Sequence, residues 1–496
     1  MKRTISMILA IVMMLGMFCM TASAENDTLA ALDIKMLDGA SIRVGTVAGI
    51  RYSTLINKEQ LNDLVSTNGE ANVEIGTIIA PTQYVTDADA FTMAALDQFK
   101  TENNIENATY VKVPATVGTP LKTVTVEDTE YYVYAGSLEN IKEQNQTLAF
   151  SGIGYVKVGE DVVYAPYNNN TNSRSVGYVA YRAYMDPGFK AEFGAVGQGL
   201  IDDFALAYLK TGVTIYSEDF SGYTDLKKGA FAKTPTYKEY QDNNAIAFPH
   251  RDWINSGEAA TETAAVMNAL GWSKVQASLD TWNATEYMRV TDDGKLYWYN
   301  WKTDYSKTYK NTLWSLTQID ALTGDHMALV GATGYTLQYD LTWTIDNGTT
   351  NSMLSMCTNM NGNDFFYYAL QPCGNALSET IKSFAVAGQY VKNESVVAKG
   401  LFGDATTVWT LGASGKWGPD TACVAEEITV TIRQTVNADG SIIIEMKSEH
   451  TDNFVTVHTV AAETVANTGG HGIGFYCFTI VNAYIDNISV TTLKVD

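Results

Sequence analysis

The stretch "TLQYDLTWTID", residues 336–346, alternates without a break between apolar and polar side chains. A period of two is the spacing of a β-strand with one covered face. It sends Leu337, Tyr339, Leu341, Trp343 and Ile345 inward and Gln338, Asp340, Thr342 and Thr344 outward. The segment "EITVTIRQTVNADGSIIIEMK" repeats the pattern on both sides of a turn. Ile428, Val430 and Ile432 face the core from one strand, Ile442, Ile444 and Met446 from the other, and Asp439-Gly440 supply the turn. "NFVTVHTV" continues as a further strand. Many short alternating strands separated by turn signals predict a two-sheet sandwich of jelly-roll type over residues 213–496.

The rest of the chain has a different character. All nine Trp lie between Trp253 and Trp417, and all five His from His250 onward. Residues 25–212 contain no Trp, His or Cys. This step predicts two modules with a seam near "YLKTGVT", residues 208–214. The first module reads as mixed α and β. "VAGIRYSTLI", "VEIGTIIAP", "YYVYAG", "GIGYVKV" and "DVVYAPY" are strand-like. "NKEQLNDLV" places Leu61, Leu64 and Val65 at helical spacing after an Asn57 cap. "TDADAFTMAALDQFK" reads as a helix opened by its Thr/Asp pair. "LIDDFALAYLK" is an amphipathic helix carrying Leu200, Ile201, Phe204, Ala205, Tyr208 and Leu209 on one stripe.

Two stretches resemble known modules. "GASIRVGTVAGIRYSTLI" followed by "VEIGTIIAP" resembles a module of clostridial-type exported and surface proteins, over about residues 32–210. The resemblance implies association with a cell envelope and no particular chemistry. "TIYSEDFSGYTD" and "GGHGIGFYCFTIVNAYIDNISVTTL" resemble the opening and closing strands of concanavalin A-like jelly rolls of the laminin-G type. The fold class expected is therefore mainly β: a small α+β module, then a concanavalin A-like β-sandwich. The second resemblance also implies a structural calcium ion. If the first and last strands pair, Glu218, Asp219 and Asp486 approach one another, and hard oxygen ligands of this kind suit Ca²⁺. The competing account is that these are ordinary turn-forming residues.

Residues 1–24 read as a secretory signal peptide: Lys2 and Arg3, an apolar run, then Ala22-x-Ala24. Phe18 before Cys19 argues against lipidation, and no later stretch has the ~20 apolar residues of a membrane span. The expectation is a secreted protein, extracellular or envelope-associated, with no transmembrane anchor. The net charge is −22, and removal of Lys2 and Arg3 makes it more negative. Nucleic acid is disfavoured as a partner, because its binding draws on clustered cations. Four cysteines remain after cleavage, Cys357, Cys373, Cys423 and Cys477, and the sequence does not choose among their pairings.

"LYWYNWKTDYSKTY", residues 296–309, crowds aromatic rings onto both faces of a strand. Tyr297, Tyr299 and Trp301 share one face, with Leu296 and Trp298 on the other. "NDFFYYALQ" repeats the habit. Rings on the outer face of a sandwich suit sugars, whose C–H faces stack on flat apolar groups. The candidate glycan platform is Tyr297, Tyr299 and Trp301, with Asn300, Asp304 and Asn311 as polar neighbours and Trp314, Trp409 and Trp417 as further candidates. The competing account is that a loop, a helix or the other module covers these rings.

For a glycoside hydrolase two carboxyl groups must flank the scissile bond. No Glu-x-Asp-x-x-Glu strand occurs, and Glu445 and Glu449, four apart in "EMKSEH", read as a solvated strand face with Lys447 between them. No Gly-x-Ser-x-Gly elbow occurs, and "HRDW", His250 to Trp253, reads as a surface turn. The leading expectation is a non-catalytic protein binding a neutral polysaccharide or cell-wall glycan. The alternatives are a glycoside-active enzyme on the same sandwich and an envelope scaffold without a small ligand.

Overall fold

The computed structural model describes residues 27–45, 47–87, 91–226, 258–277, 285–291, 293–301, 311–344, 353–362, 364–373, 383–392, 395–398, 408–411, 417–418, 427–448, 453–465, 469–478 and 482–495. The leader expected at 1–24 lies outside them. The chain divides into two compact units, Met1–Tyr208 and Leu209–Asp496. No helix among the described residues is long and apolar enough to cross a membrane.

The first unit holds two antiparallel five-stranded sheets. One runs in the order Ile34–Met36, Gly49–Asn57, Thr129–Glu139, Lys122–Val126, with Ser41–Arg43 also paired to Gly49–Asn57. The other runs Ser173–Arg174, Phe150–Val158, Val73–Pro81, Val111–Ala115, with Asp161–Tyr164 also paired to Phe150–Val158. The glycines of "SGIGYVKV" explain how closely the sheets approach: a Cβ at Gly152 would overlap the Tyr52 ring, and one at Gly154 would overlap Thr54 Oγ1. Large side chains of one sheet thus sit in glycine gaps of the other, as dense packing requires.

Helix Lys58–Asn68 starts where the sequence placed it. Asn57 Oδ1 accepts from Gln60 N at 3.1 Å, and Leu61 and Leu64 are buried. The next helix begins later than its Thr/Asp pair suggested. Its cap is Thr92, whose Oγ1 accepts from Ala95 N at 3.1 Å, and the helix is Met93–Glu102. Helix Ala195–Leu209 buries Ile201, Phe204, Ala205 and Leu209, four residues of the expected stripe. A further helix, Val176–Tyr184, is capped by Ser175 and buries Val176, Val179, Ala180 and Ala183.

The second unit is built on two larger antiparallel sheets. The first has eight strands in the order Thr285–Val290, Leu296–Trp301, Asn482–Thr492, Tyr335–Thr344, Glu427–Val436, Ile442–Ser448, Val455–Val460, with Thr214–Glu218 also paired to Asn482–Thr492. The second has nine, ordered Ser273–Ala277, Asn311–Ser315, Gly472–Phe478, Met353–Asn361, Asp364–Cys373, Ser383–Lys392, Val408–Leu411, Trp417–Gly418, with Ser395–Ala398 beside Ser383–Lys392. The inner faces meet in a largely apolar core. Phe475 of the nine-stranded sheet lies 6.0 Å, centroid to centroid, from Trp298 of the eight-stranded sheet and 4.7 Å from Trp272. Leu337, Tyr339, Leu341, Val430, Ile432, Ile442, Ile444 and Met446 are all fully buried, as their period predicted. Two polar links cross this core, from Gln434 Nε2 to Met356 O (3.2 Å) and from Met356 N to Tyr339 OH (3.4 Å). The chain is therefore mainly β, with a sandwich as its larger unit.

Candidate functional site

The outer face of the eight-stranded sheet is the surface that alternation leaves for function. Its centre is the closing strand, Asn482–Thr492. On one side the central strand Tyr335–Thr344 accompanies it along its length. On the other side two strands share it: Leu296–Trp301 pairs with Asn482 to Ile485, and the opening strand Thr214–Glu218 pairs with Ile488 to Thr491. Between those two partners the closing strand bulges. Asp340 stands opposite Asp486 and Gln338 opposite Ser489, so one residue of the central strand spans two of the closing strand. Asn487 absorbs the bulge in a left-handed conformation, φ 51°, which Asn tolerates better than most residues.

This geometry gathers charge. Asp340 accepts from Thr431 Oγ1 at 2.6 Å and from Asn487 Nδ2 at 2.8 Å. Asp486 accepts from Asn487 N at 2.8 Å. Desolvation raises the Asp486 pKa above the usual aspartate range, the charges of Asp340 and Asp219 add to the rise, and the Asn487 N–H and Lys295 oppose it.

Moving along the central strand, the outer positions Thr336 and Gln338 join Arg433, Thr435, Glu445, Ser489 and Thr491 around an open groove of about 420 Å³. The local hairpin builds its key pair. Val436 opposes Ile442 across the "NADGS" turn, which sets Arg433 opposite Glu445. Gly440 turns at φ 89° and Asp439 Oδ1 accepts from Ser441 N at 2.8 Å. Arg433 donates from Nε and Nη2 to Glu445 Oε2, both at 2.8 Å. Its guanidinium lies 3.8 Å from the centroid of the Phe454 ring, which fixes it in place.

At the opposite end of the same face stand two rings. Tyr484 pairs with Tyr297 across the strands, and their centroids are 5.2 Å apart. Tyr484 is half-buried, whereas Tyr297 is only 2% exposed. Tyr297 therefore packs as a wall behind Tyr484 and presents no open face of its own. Leu296 and Trp298, expected on the other side of the strand, are fully buried. Of the expected platform, Tyr299, Asn300 and Trp301 continue the strand, with Tyr299 opposite Asn482, and their side chains lie outside the described residues. Asp304 and the turn around His250 lie outside them altogether. Trp314 is a core residue at 5% exposure.

The opening and closing strands do pair, with Glu218 opposite Ile488. Yet Glu218, Asp219 and Asp486 are not gathered into one ligand set, and among the described residues no group of three or more His, Cys, Asp and Glu is placed to hold a metal ion. Glu218 Oε1 instead accepts from Phe220 N at 2.6 Å, and desolvation raises its pKa. That bond holds Phe220 at φ 56° with its ring buried against Trp272. Asp219 closes its own turn on Ser221 N (3.0 Å) and Ser221 Oγ (2.7 Å). Cys357 is a free thiol, fully buried, and burial raises its pKa well above the usual range.

Gln338 and Asp340 were legible as outward residues of an alternating strand, whereas Arg433, Ser489 and Tyr484 were not singled out. The signal for Arg433 was available, since the turn fixes the hairpin register and the register fixes its partner. Ser489 and Tyr484 needed the pairing of the closing strand with distant strands.

No protein-family model matches the chain, and a search of curated proteins returns no match. Solved structures give distant likenesses. The CBM2 module of the evolved Dit protein of Lactobacillus casei BL23 phage J-1 is 8% identical, with a TM-score of 0.33 over 58% of this chain and 98% of that one. A protein of unknown function from Shewanella oneidensis MR-1 is 8% identical, with a TM-score of 0.26 over 46% of this chain and 80% of that one. A xylan β-1,4-xylosidase from Bacillus halodurans C-125 is 9% identical, with a TM-score of 0.25 over 44% of this chain and 38% of that one. These neighbours include carbohydrate-binding and glycoside-hydrolase proteins.

Proposed function

We propose that this is an exported, non-catalytic protein that binds a neutral glycan on the outer face of its C-terminal, concanavalin A-like sandwich. The first unit serves as a structural or surface-contacting module. One observation carries the reading: a half-buried ring, Tyr484, and a groove lined by hydroxyl and amide groups lie on the same outer face of one sheet. A flat ring and groups that both donate and accept hydrogen bonds, spread along one face, are what a chain of sugar rings needs. The test is retention of the full mature chain in polyacrylamide gels cast with neutral plant or bacterial polysaccharides. Tyr484→Ala and Gln338→Ala should each weaken retention several-fold without lowering the melting temperature by more than a few degrees. Equal mobility in every gel, with and without polysaccharide, would remove the reading.

A glycoside-active enzyme is the second reading, favoured by the Asp340–Asp486 pair. The register sets Asp340 directly opposite Asp486 on neighbouring strands, and a pair of carboxyl groups is what glycoside hydrolysis needs. Asp486, with its raised pKa, has the character of a general acid, and Asp340, held by Thr431 and Asn487, stands opposite it as the second carboxyl group. Reducing-sugar release abolished by Asp486→Asn would favour this reading. Binding without release favours the first.

A further inference from the structure

The rings and the groove occupy different ends of one face. Tyr484 stands opposite Thr342, whereas the groove is lined by Gln338 and Thr336 of the same central strand. Four to six residues of strand separate them, about 13–20 Å at ~3.3 Å per residue. One sugar ring cannot touch both ends. The groove also has its own chemistry. Arg433 spends two donors on Glu445, so the only ion pair among the lining residues is internally neutralised. The remaining lining groups are hydroxyls and an amide. No apolar side chain lines it, so it offers no anchor pocket of the kind that peptide side chains fill. Asp340 and Asp486, between the groove and the rings, repel an anionic occupant.

Resting on the glycan-binding reading above, we infer that the groove is a second subsite, so that the protein holds an internal stretch of a linear, neutral polysaccharide along its strands. The Arg433–Glu445 pair is the hydroxyl-recognising element of that subsite. The carboxylate accepts from sugar hydroxyls and the guanidinium donates to them. Each charge stays compensated by the other, which lets both bind a neutral group without a stranded charge. The Phe454 ring holds the guanidinium for this task.

The test is titration calorimetry of the full mature chain with neutral xylo-, cello- and manno-oligosaccharides of two to six units, alongside oligogalacturonides as anionic probes. For the series that binds, affinity should rise at least tenfold between the short and the long members. Glu445→Gln and Ser489→Ala should each lower the affinity for the long members about tenfold and leave the short members within twofold. Ser489→Ala removes one hydroxyl from a half-buried position, so it tests the subsite even if Glu445→Gln unfolds the hairpin. Affinity that does not depend on length, or that neither variant alters, would overturn the subsite while leaving glycan binding intact. Preference for oligogalacturonides would overturn the neutral class. Absence of binding to every oligosaccharide and polysaccharide would remove the underlying reading together with the subsite.

Discussion

Asp340 and Asp486 stand opposite one another on neighbouring strands of one sheet face, where the pairing places two carboxylates side by side. Like charges directly opposed in a sheet destabilise it by roughly 0.2–1 kcal/mol. The Asp486 pKa is raised, chiefly by desolvation. The folded state therefore keeps a proton that the unfolded chain has already released. The contribution of Asp486 to stability falls as pH climbs from the ordinary aspartate value, about 3.9, to the raised one, and is flat above it. Asp486→Asn, which keeps the acceptor for Asn487 N, should raise stability at pH 7 by up to about 1 kcal/mol and remove that slope. Urea unfolding of the sandwich followed by tryptophan fluorescence at several pH values reads both effects.

The bulge at Asn487 gives a second outcome. Its φ of 51° suits Asn or Gly and resists β-branched residues. Asn487→Val should cost about 1–3 kcal/mol. Asn487→Gly keeps the backbone and loses only the bond to Asp340, about 0.5–1.5 kcal/mol. If Val proves as mild as Gly in chemical denaturation, the left-handed bulge is not what fixes the register.

In the first unit, Gly154→Ala should cost about 1–3 kcal/mol or more, because its methyl group would overlap Thr54. The double variant Gly154→Ala, Thr54→Ala should recover part of the loss, since the two sites are in contact and their effects do not add. A thermal melt of each single variant and of the pair measures the coupling.

Glu218 gives a fourth. Its carboxylate receives the N–H of Phe220, which holds a bulky residue at positive φ. Glu218→Ala should cost about 1–3 kcal/mol by leaving that donor unpaired. Phe220→Ala should cost about 3–5 kcal/mol through the cavity beside Trp272. Far-UV circular dichroism during urea titration checks both values.

Cys357 should resist alkylation in the folded protein and react only on unfolding, since the thiol is fully buried and held protonated by its surroundings. Peptide mapping after iodoacetamide treatment, with and without guanidinium, shows whether it does.

Much of the sandwich was readable from order alone. The inward residues of Tyr335–Thr344 and of the hairpin follow from a period of two, a local property of strand geometry. The Arg433–Glu445 pair follows from the turn, because five loop residues fix which positions face each other. The cap at Asn57 follows from short-range hydrogen bonding. The helix starts at Thr92 and not at the Thr/Asp pair a few residues earlier, which offers the same local capping chemistry.

What the sequence by itself determined is which side chains share a face. What only the tertiary structure decided is what lies over that face and which distant strand lies beside it. Tyr297 was correctly placed opposite Leu296 and Trp298 in alternation, yet its ring is packed away, because cover comes from elements remote in the chain. The opposition of Asp340 and Asp486 likewise exists only because residues about 146 positions apart are brought into register. Alternation is set by the backbone of each strand, whereas cover and long-range register are set by the packing of the whole sheet, and no single segment carries that information.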